Sequence, residues 1–476
     1  MIQAHLPKAA IMSALRKKPW RIWLLPLLMM AAGVWNARAD TIHVDPNSTK
    51  PQKPYASPQT AALDIAAALE AAKSGDTIIL AAGSTYRIDN EIIVKEGVTL
   101  RGAGAQKPII DAQGKCRCVS LRQGASLIGV TVTRGEAREG GGIHCGPGTT
   151  VAECVIVKNT AKNYGGGICT RMRGKNPPPC LIRDCKIIEN QVTGFLHTDT
   201  PLGGGGIYAD TNTTVRHCLI EANEAAQRGG GIWCHLSGSL AENCTLVKNR
   251  AKGQRARNPN GTGSMEEGGG GAYCDFGGML RSCLVIANKA DKIGGGAVLS
   301  TGGNARNCTF VNNSTGVSGG GVQTLGVAGL VNSIAWSNTR GDKSEPDDVY
   351  VSHYYHVDIH QLTLGKANLK HCCIGKLGLH FTKQTFYLGR TAKYNPALYK
   401  NTANDFKCIE ADPQFIDEKN GDHRLKPTSP CINAAANEEW MEKAFDLDRR
   451  PRIQDGTADI GAFEHAPSKK VDDSRR

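Results

Sequence analysis

Three stretches of the 476-residue chain place an aromatic residue behind a glycine triplet and an acid or histidine two positions further on. They are GGGIYAD (204–210), GGGIWCH (229–235) and GGGAYCD (269–275). If the stretches stack in register, Tyr208, Trp233 and Tyr273 form one column, with Asp210, His235 and Asp275 beside it. Aromatic rings offer broad, rigid surfaces that suit sugar faces. Carboxylates two strands apart stand roughly 9–10 Å from each other along the backbone, which brings them within reach of an inverting glycosidase pair. A histidine between them can carry a proton. The other chemistry open to such a strip is β-elimination from a uronate, with Arg255 or Arg257 neutralising the sugar carboxylate. These arginines belong to an insertion, 252–267, that with 192–202 enters just before strands of the same stretches; His197, Asp199, Glu266 and Glu267 would help to wall a groove. The expected catalytic set is Asp210, His235 and Asp275, and the expected substrate contacts are Tyr208, Trp233, Tyr273, Arg255 and Arg257. Without chemistry, the same columns are an aromatic stack on a sheet face and a solvated ladder of charges.

The register comes from a repeat. A pattern C-x-[VIL]-x-x-N runs through CVIVKN (154–159), CKIIEN (185–190), CLIEAN (218–223), CTLVKN (244–249), CLVIAN (283–288) and CTFVNN (308–313), with SIAWSN (333–338) replacing cysteine by Ser333. In most copies a triplet opens six residues after the asparagine, and the shortest interval between copies is 25 residues. Apolar positions alternate within each copy, as in a strand with one buried face. Short strands, tight corners and this period predict an all-β parallel β-helix, in which each coil buries its face only by stacking on its neighbours. Cys218, Cys244 and their counterparts then form an inward column of small hydrophobes, with bridging of adjacent rungs left open. The asparagines fall at corners, where their tolerance of left-handed backbone and their bonds to the turn predict a structural ladder. The triplets predict tight corners. Ile143, Ile168, Ile207, Ile232, Ala272 and Ala297 follow them as an inward set.

The ends read differently. Residues 1–39 run basic, then apolar, then ARA before Asp40, the order of a secretory signal. The expected location is therefore secreted or extracytoplasmic, with no membrane span once the signal is removed. The chain's net charge of +13 includes six basic residues from this segment, so the remainder carries +7, a mild excess suited to acidic polymers. Nucleic-acid binding would want a concentrated basic stripe with stacking aromatics, which the chain lacks. Residues 40–124 form an N-terminal cap and first coils, 125–340 the repeat region, 341–411 an irregular insertion or late coils, 412–465 a closing region, and 466–476 a charged tail. Pro58 after Ser57 starts an alanine-rich helix that ends near Gly75 and covers the open first coil.

The GGGI and [FIV]xxN repeats resemble those of polymorphic outer-membrane proteins and of secreted right-handed β-helix proteins. SPQTAALDIAAALEAAKSGDTIILAAGSTYRIDNEIIVKEGVTLRGAG (57–104) is similar to the opening of pectate-lyase-like β-helices, and 412–464 resembles the closing region of the bacterial choice-of-anchor family. The resemblance implies a right-handed parallel β-helix with an N-terminal capping helix. Neither RxPxxR nor the paired-aspartate set of polygalacturonases is present, so no family catalytic residue transfers. DLDRRPRIQDGTAD (446–459) has acidic spacing but lacks the twelfth-position Glu of a calcium loop. The HCC at 371–373 is too isolated for a four-ligand zinc site. The reading is therefore a secreted β-helix that binds an extracellular acidic polysaccharide, with cleavage as a lyase or inverting glycosidase left open and no cofactor required, calcium being unsupported by the motifs. Its rival is a non-enzymatic, adhesin-like surface protein that binds glycans or proteins.

Overall fold

The described coils turn at two kinds of corner: single left-handed residues of many types, and glycine triplets that admit no side chain. The computed structural model describes residues 39–465 apart from 172–173, 175, 195–200, 254–266, 343, 354, 359–360, 365–367 and 382–406. Of the expected signal, residues 1–38 lie outside the described residues, as does the charged tail, 466–476.

One coil shows the plan. Strand Thr213–Arg216 leads through His217, with left-handed φ of 51°, into Leu219–Glu221. Ala222, with φ of 52°, makes the next corner into Glu224–Ala225, and the triplet Gly229–Gly231 delivers the chain into Ile232–His235. Equivalent strands of successive coils pair in parallel, as in Ile207↔Ile232↔Ala272. Among the described residues this yields three long sheets of 12, 11 and 11 strands and a shorter sheet of nine. We call the sheet holding Ile232–His235 the triplet sheet. The coils continue past the expected repeat region: Val349–His353 and Leu377–Phe381 extend the triplet sheet, while Asn368–Lys370 and Cys373–Ile374 extend two others.

The cysteine and asparagine columns lie where the repeat places them. Cys154, Cys185, Cys218, Cys244, Cys283 and Cys308 are buried in the central core, and all 17 cysteines are free thiols. Each of the six thiols donates to the carbonyl two residues before it, at 3.1–3.3 Å. Ser333 keeps that bond at 2.9 Å and accepts from the Cys308 amide. The asparagine ladder is continuous. Asn159, Asn190, Asn223, Asn249, Asn288 and Asn313 each donate to the next asparagine's Oδ1 at 2.9–3.0 Å, and Asn338 ends the series on Asp348 at 2.8 Å. The left-handed residue stands one place earlier than asparagine preference suggests, at Lys158, Glu189, Ala222, Lys248, Ala287, Asn312 and Ser337. The asparagines are used for their side-chain amides, which both donate and accept.

At the N-terminus, Pro58–Thr60 is a single 3₁₀ turn, and the helix begins later, at Ile65–Ala71, capped by the Asp64 side chain. At the other end, the closing region lies along the side of the coils. Phe415, Leu425, Cys431, Met441 and Ile460 pack with Val311 and Ile334 on the outer face of the sheet that contains Leu219–Glu221. Apolar outward residues there leave a surface that water would otherwise wet, and the closing region buries it.

Candidate functional site

The triplet decides what meets what on the triplet sheet. In the 204–206 triplet, Gly204 takes φ of 71°; a Cβ on Gly205 would lie 2.3 Å from the Gly230 carbonyl oxygen. Only glycine fits so close an approach. The corner is tight enough to bring the residue before the triplet against the residue two places after it. Ser318 and Gln323 hydrogen-bond across one such corner at 2.8 Å, and the Arg228 guanidinium lies over the Trp233 ring at 5.6 Å.

The expected aromatic column exists in register: Tyr208 pairs with Trp233, and Trp233 with Tyr273. Its exposure does not match the expectation. Tyr208, Trp233 and Tyr273 are 5%, 2% and 0% exposed, in a cluster with Tyr164, Cys169, Ile293, Val298 and Leu325 that is separate from the central core. Ring centroids follow at 4.8 Å (Tyr164–Tyr208), 5.2 Å (Tyr208–Trp233) and 5.8 Å (Trp233–Tyr273). The side chains do leave the central core, but the corner folds over them, with Arg228 covering both Trp233 and Tyr273. The open sugar-binding strip expected there is corrected to a buried stack.

Of the polar column, the structure joins two members. Asp275 Oδ1 accepts from the Trp233 indole at 3.0 Å and lies 2.8 Å from His235 Nδ1, with Arg228 3.9 Å from the other oxygen. In the neutral tautomer that donates Nδ1–H to Asp275, the His235 Nε2 is an acceptor. His235 is partly exposed, beside the exposed Phe276. Asp210 is buried, and its Oδ1 accepts from the Thr211 amide at 2.8 Å. Asp275 is thus committed to indole and imidazole while Asp210 caps its own turn. Two carboxylates facing each other across an open cleft, the inverting-pair expectation, are not what the fold builds. Arg255, Arg257, His197, Asp199 and Glu266 lie outside the described residues, and Glu267 is half-buried.

A cleft that the triplet alignment did not single out opens over the earlier coils. It encloses about 650 Å³ and is lined by Ser120, Arg122, Gln123, Glu139, His144 and Arg171, among others. Glu139 and His144 flank the triplet Gly140–Gly142 and so meet at its corner. Cys169 is the register neighbour of His144 on the next coil and, unlike the core cysteines, belongs to the outer cluster. One ligand atom each from Glu139, His144 and Cys169 lie within 4.8 Å of one another. Arg171 binds Glu139 at 2.6 Å, and Arg117 is held by Glu91 at 2.8 Å. Arg122 is exposed and has no carboxylate partner among the described residues. Burial, reinforced by the Arg117 charge, holds His144 below the usual imidazole range; burial also pushes the Cys169 thiol up to about 12. A neighbouring cleft of about 590 Å³ is lined by Lys115, Glu136, Arg138 and Lys162. The signal for the first site was present as EGGGIH and YGGGICTR, but it required pairing residues across the corner.

A family model described as a right-handed beta helix region matches residues 74–273 and again 141–333, together more than half of the chain. Among solved structures, pectate lyase Pel9A aligns over 90% of this chain and 97% of its own, at 13% identity and TM-score 0.43. An alginate lyase from Paenibacillus sp. str. FPU-7 aligns over 60% and 93%, at 14% identity and 0.31. A lacto-N-biosidase from Eubacterium ramulus aligns over 72% and 68%, at 9% identity and 0.29. No curated protein sequence matches the chain.

Proposed function

We propose that this chain, which belongs to the right-handed β-helix family, binds an acidic polysaccharide laid along the solenoid axis over the triplet sheet. The observation that carries the reading is the cleft at the early coils, where Arg122 presents a guanidinium without a carboxylate partner and Arg171 and Gln123 stand beside it. An unpaired guanidinium at the wall of a cleft suits a uronate carboxylate, which it can grip through two parallel hydrogen bonds. Continuing the strand register, Arg122, Arg171 and His235 fall in one column, two rungs apart at each step. At about 4.8 Å per rung, that spacing matches a linear polymer whose charges recur along its length. Secretion through the N-terminal segment would place the protein where such polymers occur, and the mild positive charge favours encounter.

One observation favours cleavage over binding alone: the His235–Asp275 pair. With Nδ1 held by Asp275, Nε2 is a base placed to take the proton α to a uronate carboxylate, while an arginine steadies the carboxylate. Calorimetric titration of the protein with polygalacturonate, alginate and neutral dextran tests the binding. Uronate polymers should bind, with affinity falling as salt rises, and Arg122→Ala should weaken binding about tenfold, the ~1.4 kcal/mol of one charged contact. Equal binding of dextran, or an unaffected Arg122→Ala, would overturn it. Growth of the unsaturated product's ultraviolet absorbance, lost in His235→Gln, would establish cleavage; binding without it would leave the adhesin-like role.

A further inference from the structure

We propose that Glu139, His144 and Cys169 form a binding site for a zinc-type divalent ion, with an open coordination position facing the cleft of Arg122 and Gln123. The three ligand atoms lie within 4.8 Å of one another. Zinc bonds to sulfur, nitrogen and carboxylate oxygen are about 2.0–2.3 Å, so a tetrahedral ion holds its ligand atoms ~3.5 Å apart and closing around it takes side-chain shifts of about 1 Å. Each ligand comes from a fixed place. Glu139 ends the strand Glu136–Glu139 and His144 sits in Ile143–Cys145, the triplet turning one toward the other. Cys169 is one rung from His144 in Ile168–Cys169.

The surroundings suit a metal. A thiolate and a carboxylate neutralise a divalent ion, and a sulfur–nitrogen–oxygen donor set selects zinc or cobalt over calcium or magnesium, which want oxygen. Arg171 binds Oε1 of Glu139, which leaves Oε2 for the ion and orients the carboxylate from behind. Arg117 is taken up by Glu91 and by the carbonyls of Glu139 and Gly140. Cys169 stands outside the thiol column, in the cluster with Tyr164 and Tyr208. Three protein ligands leave a fourth position, as in zinc sites that bind water or substrate. The ion site stands on this geometry alone; that its open position meets a carboxylate of the polymer rests on the function proposed above.

Cobalt(II) titration of the full mature chain, after chelator treatment, reads the site directly. One equivalent should bind with a thiolate-to-cobalt charge-transfer band and tetrahedral visible bands, both displaced by zinc. Cys169→Ser should abolish the charge-transfer band, His144→Ala should weaken binding at least tenfold, and Cys116→Ser, which alters a partly exposed thiol elsewhere, should change neither. Absence of a thiolate band in the wild type, or its persistence in Cys169→Ser, would overturn the site. Uronate titration of the metal-stripped protein reports separately on the glycan cleft, so failure of either idea is recognisable.

Discussion

At the scale of single residues, the chain's most demanding side chains are the ladder asparagines. Asn249 is fully buried; its Oδ1 accepts from the Asn223 amide and side chain, and its Nδ2 donates to Asn288 and to the Ile220 carbonyl. Asn249→Ala strands two donors of Asn223 and takes one bond each from the Ile220 carbonyl and from Asn288 Oδ1, which keeps the Asn249 backbone amide; it should cost about 3 kcal/mol or more in denaturant unfolding. Asn249→Asp has the same shape and can accept, but it cannot donate upward, and near neutral pH it also buries a charge. It should be at least as damaging as alanine near pH 7 and recover part of the loss in acid, where the protonated acid regains one donor. The alanine and aspartate variants would lose the same stability at every pH only if the ladder were packing and not hydrogen bonding. The candidate-site residues obey the same logic of position: Cys169 stands two places after its triplet and joins the outer cluster, whereas Cys145, Cys234 and Cys274, three places after theirs, lie in the central core.

At the scale of elements, the triplet corner is the unit that makes the molecule. Gly231 has an ordinary φ, so its cost on substitution is steric alone; a Cβ there would lie 2.6 Å from the Gly271 carbonyl oxygen and 2.9 Å from Asn249. Gly302 is the converse, with φ of 84° and its nearest neighbour at 3.6 Å. Gly302→Ala should cost the left-handed penalty of about 1–2 kcal/mol, whereas Gly231→Ala, overpacked against backbone that cannot move aside, should lose ~3 kcal/mol or more. Thermal melts of the two variants check this, and equal losses would mean that the corners tolerate a methyl group. The alternation of the repeat foretold the inward set: Ile143, Ile168, Ile207, Ile232, Ala272 and Ala297 are all fully buried. It did not foretell the fate of the opposite face, because period two separates two faces of a strand and says nothing about what folds over either.

At the scale of the whole molecule, the stack must end, and its ends carry pH dependence. Asp348 occupies the place where the ladder would have its next asparagine; burial raises its carboxyl from the ordinary 3.8 to about 6, against the lowering effect of the Asn338 bonds. The folded state therefore holds this proton more tightly than the unfolded chain. Stability from Asp348 is full below about pH 4, falls as pH rises to about 6, and is constant above that. Urea unfolding from pH 4 to 8 should show this decline in the wild type, with a flatter profile for Asp348→Asn; parallel profiles would disprove the assignment. Burial raises Glu464 in the closing region further, to about 8, against the lowering charge of Arg452 beside it, and extends the decline toward neutrality. What the sequence by itself determined was everything that repeats at local spacing: the coil, the inward columns of cysteine and isoleucine, the asparagine ladder, and the register that puts Tyr208, Trp233 and Tyr273 in line. Those features follow from the alternation of a strand and the length of a turn, which neighbouring residues specify. Only the tertiary structure decided which outward columns face water, because that depends on corners closing over them. It buried the aromatics beneath Arg228, joined His235 to Asp275, laid the closing region along an outer sheet face, and gathered Glu139, His144, Cys169 and Arg171 from two coils at the edge of one cleft.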